Sequence, residues 1–293
     1  MRIVPPDVPA DARFQGVKPF LKWPGGKRSL AEHIAPLVIP GGWYFEPMLG
    51  GGAVYFHLLA KGLVDRSRTV LSDGNIMLIH AYQAVARAPA QVLIALEALG
   101  GSDRETYERV RKEYNEMERL ATSQDRQVQQ AARLIYLNRV GFNGLYRVNK
   151  DGRFNVPWGG EKRVVRTPDF DANLMVCSLA LQVAEIGCND FRRYEHPGGH
   201  PSWYGAGDTV YFDPPYPGTF NYYTASGFDH QHERLLELAS RLRSRGVRVI
   251  ISLPDTEEVR LMYKHFSCIE VSARRSVGAK ASTRKVAGEL ILF

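Results

Sequence analysis

The chain reads as an α/β protein, a doubly wound sheet interrupted by a mostly helical insert that carries a β-hairpin. Three observations predict this. Short apolar strands alternate with helical patterns before about residue 88 and again after about residue 165. Between Pro89 and Asn138 the pattern is helical and highly charged, and no strand breaks it. Tyr146 and Val148 then face Phe154 and Val156 across Asn149-Lys150-Asp151-Gly152, a strong hairpin signal.

Taken in order, the elements follow from local chemistry. Residues 1–17 begin Pro-rich and are expected to be disordered; they hold no apolar run fit for a signal peptide. A turn at Pro24-Gly25-Gly26 precedes an amphipathic helix expected to start near Ser29. "WYFEPMLGGGAVYFHLLAKG" reads as strand, glycine turn and helix, and "RTVLSDGN" as a strand ending in Asp73. After the insert, "LALQVAEIG" holds a short strand and "DTVYF" another. "DHQHERLLELASRLRSRG" is a helix, "VRVIISL" a strand, "DTEEVRLMYKHF" a helix and "AGELILF" the last strand. The expected organisation is an α/β domain over 18–76 and 165–293, with the insert at 77–164.

A length of 293 residues allows a sizeable core, and 44% hydrophobic with 24% charged residues excludes a disordered chain. No uncharged apolar run approaches the ~20 residues of a membrane helix. Cys177, Cys188 and Cys268 are far apart and form no disulfide framework, as expected of a cytoplasmic protein. The net charge of +7 is unevenly placed. From Arg133 to Arg166 eight basic residues stand against two acids, and Arg274, Arg275, Lys280, Arg284 and Lys285 form a second cluster without an acid. Such clusters suit a polyanion, most often nucleic acid, although a solvated basic face reads equally well from charge alone.

Three motifs carry chemistry. Gly50, Gly51 and Gly52 between a strand and a helix let a ligand approach the backbone, and Asp73 ends the next strand about 20 residues on, where a ribose hydroxyl is gripped in related folds. A tight turn with a helix cap explains the same residues. The spacing is not the dinucleotide fingerprint, and "LKWPGGKRS" is not a phosphate loop, because Arg28 follows Lys27. His196, His200, His230 and His232 have no cysteine partners and are not read as metal ligands. The third motif is Asp213-Pro214-Pro215-Tyr216, which ends a buried strand. Neither proline has an N–H, and Asp213 before Pro214 is biased to extended backbone. The Asp213 carboxylate and the Pro214 carbonyl are then paired acceptors for an exocyclic amino group, and Tyr216 offers a stacking face to its ring.

"FLKWPGGK", "FEPMLGGGAVYF", "LSDGN", "LNRVGFNGLYRVNKDGRFNVPWGG", "VYFDPPY" and "RRSVGAKASTRKVAGELIL" follow one another in the order of the Dam-like, D12-class DNA adenine-N6 methyltransferases. The chain resembles that family from about residue 18 to 293. The resemblance implies a Rossmann-like class I methyltransferase sheet binding S-adenosylmethionine, with a target-recognition domain as the insert. It implies cofactor contacts from Trp23, Lys27, Glu46, Gly50, Gly51, Gly52, Asp73 and Asp213. It implies catalysis by Asp213, Pro214, Pro215 and Tyr216 on a flipped-out adenine. Arg139, Asn143, Arg147, Asn149, Lys150, Arg153, Arg274 and Arg275 are candidate DNA contacts. The partner is double-stranded DNA, with no metal or membrane and, in a restriction-modification setting, a restriction endonuclease in the same cell. Met48 stands where the family usually has Phe, and Leu253 and Pro254 where polar residues are expected. The same pocket also suits cytosine N4, RNA adenine or a protein glutamine amide. A non-catalytic DNA-binding regulator and a dinucleotide dehydrogenase are the readings from other classes; the latter lacks its glycine fingerprint.

Overall fold

The computed structural model describes residues 11–23, 25–117, 123–160, 164–192, 205–216, 231–274 and 286–293. Pro24, His196, His200, His230, Arg275, Lys280, Arg284 and Lys285, all named above, lie outside the described residues, as do Lys162 and Arg163 of the first basic cluster.

The sheet is built from β1 (Tyr44–Glu46), β2 (Thr69–Asp73), β3 (Glu185–Cys188), β4 (Thr209–Phe212), β5 (Arg248–Pro254), β6 (Cys268–Arg274) and β7 (Val286–Leu292). Their order across the sheet is β3-β2-β1-β4-β5-β7-β6. All neighbours pair parallel except β7, which runs antiparallel to both β5 and β6. This is the Rossmann-like methyltransferase arrangement that the resemblance implied. The order reverses between β1 and β4, so a crevice opens at their carboxyl ends, where open α/β sheets take their ligands.

The central strands are covered on both faces. Every residue of β4 is buried. Successive side chains alternate: Val210 and Phe212 join Phe45 in one cluster, with Leu235, Leu238 and Leu242, while Tyr211 joins Tyr44 in the other. The first cluster is closed by α8 (His232–Ser244) and α9 (Glu257–Met262). The second is closed by α1 (Ala31–Ile34), α2 (Ala53–Ala60), α3 (Ile76–Arg87) and α7 (Pro168–Leu181). The helix expected from Ser29 is only a turn of α1, because Pro36 cannot donate to the carbonyl one turn back and the chain tightens into a 3-10 turn over Ala35–Leu37. "LALQ" of the expected strand region closes α7, and the strand begins at Glu185.

Between α3 and α7 lie α4 (Pro89–Ala98), α5 (Arg104–Glu116) and α6 (Gln124–Val140). Side chains cap the helices that follow polar turns: Asn75 on α3, Asp103 on α5, Ser123 on α6 and Thr167, ahead of Pro168, on α7. The apolar interior of this helical block is continuous with the sheet's second cluster, from Val92 through Ile135 to Val156. α3 packs on β2 and β3 and also on α6. The hairpin beyond α6 pairs Val148 with Phe154, with Asn149 N–H donating to the Arg153 carbonyl at 2.8 Å and Asn155 N–H to the Arg147 carbonyl at 3.0 Å. Gly152 takes the left-handed conformation (φ 72°) that closes its tip.

One sequence expectation needs correcting. Residues 11–17 are ordered rather than disordered: Asp11 caps a 3-10 turn over Ala12–Phe14. Phe14 is 1% exposed in the same core as α2 and α7. Proline content at the start of the segment masked a single aromatic anchor, whose burial offsets the ordering of the turn. Phe14→Ala is expected to destabilise the protein by about 3 kcal/mol in urea denaturation; an effect below about 0.5 kcal/mol would place the segment outside the cooperative fold.

Candidate active site

The crevice centres on Asp213, the residue after β4. Its Oδ1 receives two donors, Lys27 Nζ at 2.9 Å and Ser252 Oγ at 3.1 Å. Tyr211 and Ser252 hydroxyls lie 2.8 Å apart beneath it. Both donors share one oxygen, so Oδ2 remains as an acceptor on a side chain that is 23% exposed. Pro214 is buried, while Pro215 and Tyr216 are half-buried. Lys27, 5% exposed, also donates to the Gly25 carbonyl at 3.0 Å and to the Tyr216 hydroxyl at 3.2 Å. Its ammonium lies 4.8 Å from the Tyr216 ring centroid. The Tyr216 hydroxyl donates to Glu289 Oε1 at 2.7 Å.

The glycine loop lies beside it, between β1 and α2. Gly50 (φ 49°) and Gly52 (φ 66°) are left-handed, a conformation side chains resist. A Cβ on Gly50 would come within 2.8 Å of Trp23 Cδ1, and one on Gly51 within 3.0 Å of Trp23 Cβ. Asp73 holds the loop: its Oδ2 accepts Gly50 N–H at 3.0 Å and its Oδ1 accepts Asn75 N–H at 2.9 Å. Each oxygen keeps a lone pair for a further donor. The Tyr82 hydroxyl donates to the Gly50 carbonyl at 3.2 Å. Trp23 in turn stacks on Tyr146 of the hairpin, with centroids 4.8 Å apart and planes at 22°. Asn138 of α6 fastens the same region, exchanging hydrogen bonds with both Lys22 N–H and Lys22 carbonyl and donating to the Gly144 carbonyl.

The electrostatics are one-sided. Burial pushes the Glu46 carboxyl up to about 8, against a hydrogen bond from the Tyr44 hydroxyl, and the Asp213 charge adds to the rise. Burial also raises Asp73, with Gly50 and Asn75 N–H opposing, and raises Asp213, with Lys27 opposing. Burial alone would lower Lys27; Asp213, Tyr216 and Glu289 outweigh it, and the ammonium sits above its ordinary value. With Glu289, four carboxyls thus share a crevice in which Lys27 is the one lysine or arginine buried among the described residues. Such a set of acceptors suits a cation carrying hydroxyl groups. Among the described residues no group of His, Cys, Asp and Glu is placed to hold a metal ion, and no helix is long and apolar enough to cross a membrane.

The candidate DNA contacts divide by geometry. Asn143, Lys150 and Arg153 are exposed, Asn143 in the left-handed region (φ 54°). Asn149 turns its Oδ1 inward to the Asp151 and Arg153 N–H groups, so it shapes the tip. Arg147 is spent across the hairpin on Asn155 Oδ1 at 2.7 Å and on the Asn155 carbonyl at 3.0 Å. Arg139 donates to the Val164 and Val165 carbonyls and lies 4.1 Å over the Phe170 ring. Arg274 is the last residue of β6.

Sequence reasoning missed Ser252, Tyr44, Tyr82 and Glu289. Each lies in an apolar strand or helix pattern, where a single polar side chain gives no local signal; only the folded sheet aims them into the crevice. Leu253 and Pro254, which stand where polar residues were expected, are buried in β5 opposite Leu290 and Glu289, and Ser252 supplies the polar contact instead.

The Glu46 shift fixes a pH dependence. Folded Glu46 keeps a proton that the unfolded chain loses above its ordinary value of 4.5, so this group's contribution to stability is present at acid pH and lost as pH rises towards about 8. Thermal melts of wild type and Glu46→Gln should therefore diverge with pH, the variant gaining by up to a few kcal/mol between about pH 5 and 8.5; a constant gap would show Glu46 ionised throughout.

A family model described as D12 class N6 adenine-specific DNA methyltransferase matches residues 23–277. The chain is 34% identical to the Type II methyltransferase M1.LlaDCHI of Lactococcus lactis subsp. cremoris, over 94% of this chain and 95% of that one. It is 34% identical to the DNA adenine methylase of Escherichia coli (strain K12), over 93% of each. It is 33% identical to the DNA N-6-adenine-methyltransferase of Escherichia phage P1, over 93% of this chain and 35% of that one. With a family model over most of its length and relatives about one-third identical from end to end, the chain belongs to the D12 class of N6 adenine-specific DNA methyltransferases.

Proposed function

We propose that Asp213, Pro214 and Tyr216 transfer a methyl group to N6 of an adenine turned out of duplex DNA, and that the glycine loop with Glu46 and Asp73 holds S-adenosylmethionine. The observation that carries this is Asp213 itself: its Oδ1 is occupied by Lys27 and Ser252, and its Oδ2 is left as an acceptor beside two prolines and an aromatic ring. The methyl donor, when bound, supplies a sulfonium methyl carbon. Its positive charge suits the carboxyls of the crevice, and the Asp73 oxygens keep acceptor capacity for ribose hydroxyls.

Lys27 keeps Asp213 ionised and fixes its rotamer. Asp213 Oδ2 and the Pro214 carbonyl accept the two N6 hydrogens. This turns the nitrogen lone pair out of conjugation with the ring and towards the methyl carbon, and it stabilises the positive charge that grows on N6. The new N–C bond forms as the C–S bond breaks, with that electron pair leaving on sulfur. The extra proton on N6 departs along its hydrogen bond to Asp213 and on to solvent. Tyr216 stacks on the purine, returning roughly 1–3 kcal/mol towards the few kcal/mol that flipping costs. Residues 77–164 form the recognition domain in this reading. Lys150, Arg153 and Asn143 at its exposed tips meet DNA, while Arg139, Arg147 and Asn149 hold the hairpin in shape. Companion action with a restriction endonuclease or independent methylation both fit such an enzyme.

Asp213→Ala is expected to lower methyl transfer to unmodified genomic DNA at least about 100-fold. Binding of S-adenosylmethionine by calorimetry should persist within about tenfold, showing that the crevice is still formed. Near-normal turnover of that variant would remove Asp213 from the reaction.

A further inference from the structure

One side chain of the crevice comes from β7 and takes no part in the transfer steps. Glu289 lies opposite Pro254 of β5 and is 8% exposed. Its Oε1 accepts the Tyr216 hydroxyl at 2.7 Å, and its Oε2 is buried with no hydrogen-bond partner among the described residues. A half-satisfied buried carboxylate is costly, and an apolar residue would fill a strand between Gly288 and Leu290 at less cost. The Tyr216 hydroxyl also accepts from Lys27 Nζ at 3.2 Å, and the same ammonium pairs with Asp213 Oδ1 at 2.9 Å. The four groups form a chain of alternating charge, from Glu289 through the phenol and the ammonium to Asp213.

We propose that Glu289 is a positioning residue for methyl transfer, acting through Tyr216: it holds the phenol by its hydroxyl, so that the ring is a fixed stacking face beside Asp213. This rests on the reading of Asp213 to Tyr216 as the transfer site. The prolines fix the backbone end of Tyr216. Two side-chain torsions would still let the ring swing, and a hydrogen bond to a carboxylate on a strand paired on both sides removes that freedom. Glu289 is also the group that can take the phenol proton, which Lys27, a donor only, cannot. With its O–H directed at Glu289, the phenol oxygen accepts from Lys27. Without Glu289 that O–H turns to compete for Asp213, the acceptor that the substrate amino group needs. The β7 strand, which is separated from β1 by β4 and β5 and carries no glycine-loop or hairpin residue, thereby enters the reaction at one remove.

The test uses the full chain with unmethylated genomic DNA and radiolabelled S-adenosylmethionine, and compares Glu289→Ala, Glu289→Gln, Tyr216→Phe and the Tyr216→Phe/Glu289→Ala double variant. Glu289→Ala should lower kcat about tenfold or more while the S-adenosylmethionine Kd stays within about twofold. Glu289→Gln, whose amide oxygen still accepts the phenol proton, should recover most of the loss. The double variant should be no slower than Tyr216→Phe, because Glu289 acts only through that hydroxyl. Wild-type kcat in Glu289→Ala, or losses that multiply in the double variant, would overturn the inference. If Glu289→Ala does not fold, Tyr216→Phe decides with Glu289→Gln: a loss in the first and little loss in the second supports it, and wild-type kcat in the first overturns it. A wild-type chain that transfers no methyl group to DNA overturns the transfer-site reading as well, whereas an active wild type with an indifferent Glu289→Ala overturns this inference alone.

Discussion

The buried ion pair between Lys27 and Asp213 is the contact around which the crevice is assembled. An ammonium that is 5% exposed cannot stay charged without partners, and removing one partner of such a pair typically costs 3–5 kcal/mol. Three segments must therefore close on it together: the loop before α1 that carries Lys27, the end of β4 that carries Asp213, and β7, which reaches it through Glu289 and Tyr216. A buried pair is a poor source of net stability against an apolar alternative, and its value here is geometric. It ties one carboxylate oxygen, Oδ1, through which Lys27 and Ser252 both hold the side chain.

That asymmetry extends to the charge of the whole crevice. Glu46, Asp73 and Asp213 are each raised by burial, and Glu46 and Asp73 feel Asp213 as well. Carboxyls that crowd in this way are poised for a cation, whose arrival relieves the mutual repulsion. The backbone serves the same end. Asp73 accepts the Gly50 N–H, so the acid that ends β2 shapes the glycine turn.

The helical block is joined to this crevice by packing as well as by chain connectivity. Trp23 is packed against Gly50 and Gly51 on one side and stacked on Tyr146 on the other, so the glycine loop and the hairpin share one indole. Asn138 pins Lys22, four residues before Gly26, to the end of α6. The apolar interior is continuous from α6 to the sheet, so the base of the hairpin is packed on the same core as the glycine loop.

Much of this was legible in the amino-acid order. Strand and helix periodicity predicted the α/β pattern and its helical interruption; glycine and proline marked the loop and the strand end. These are local properties, written into neighbouring residues. The ordered segment around Phe14 was hidden because one aromatic residue has no periodicity to reveal it. Tertiary structure alone decided which side chains complete the site. Lys27 and Tyr216 meet across 189 residues, Asp213 and Ser252 across 39, and Tyr216 and Glu289 across 73. Whether an arginine of the insert faces outward or is spent on its own hairpin was decided there too. The reason is physical: sequence patterns report which face of an element is apolar, whereas the direction of a lone polar side chain depends on which strand the sheet sets beside it.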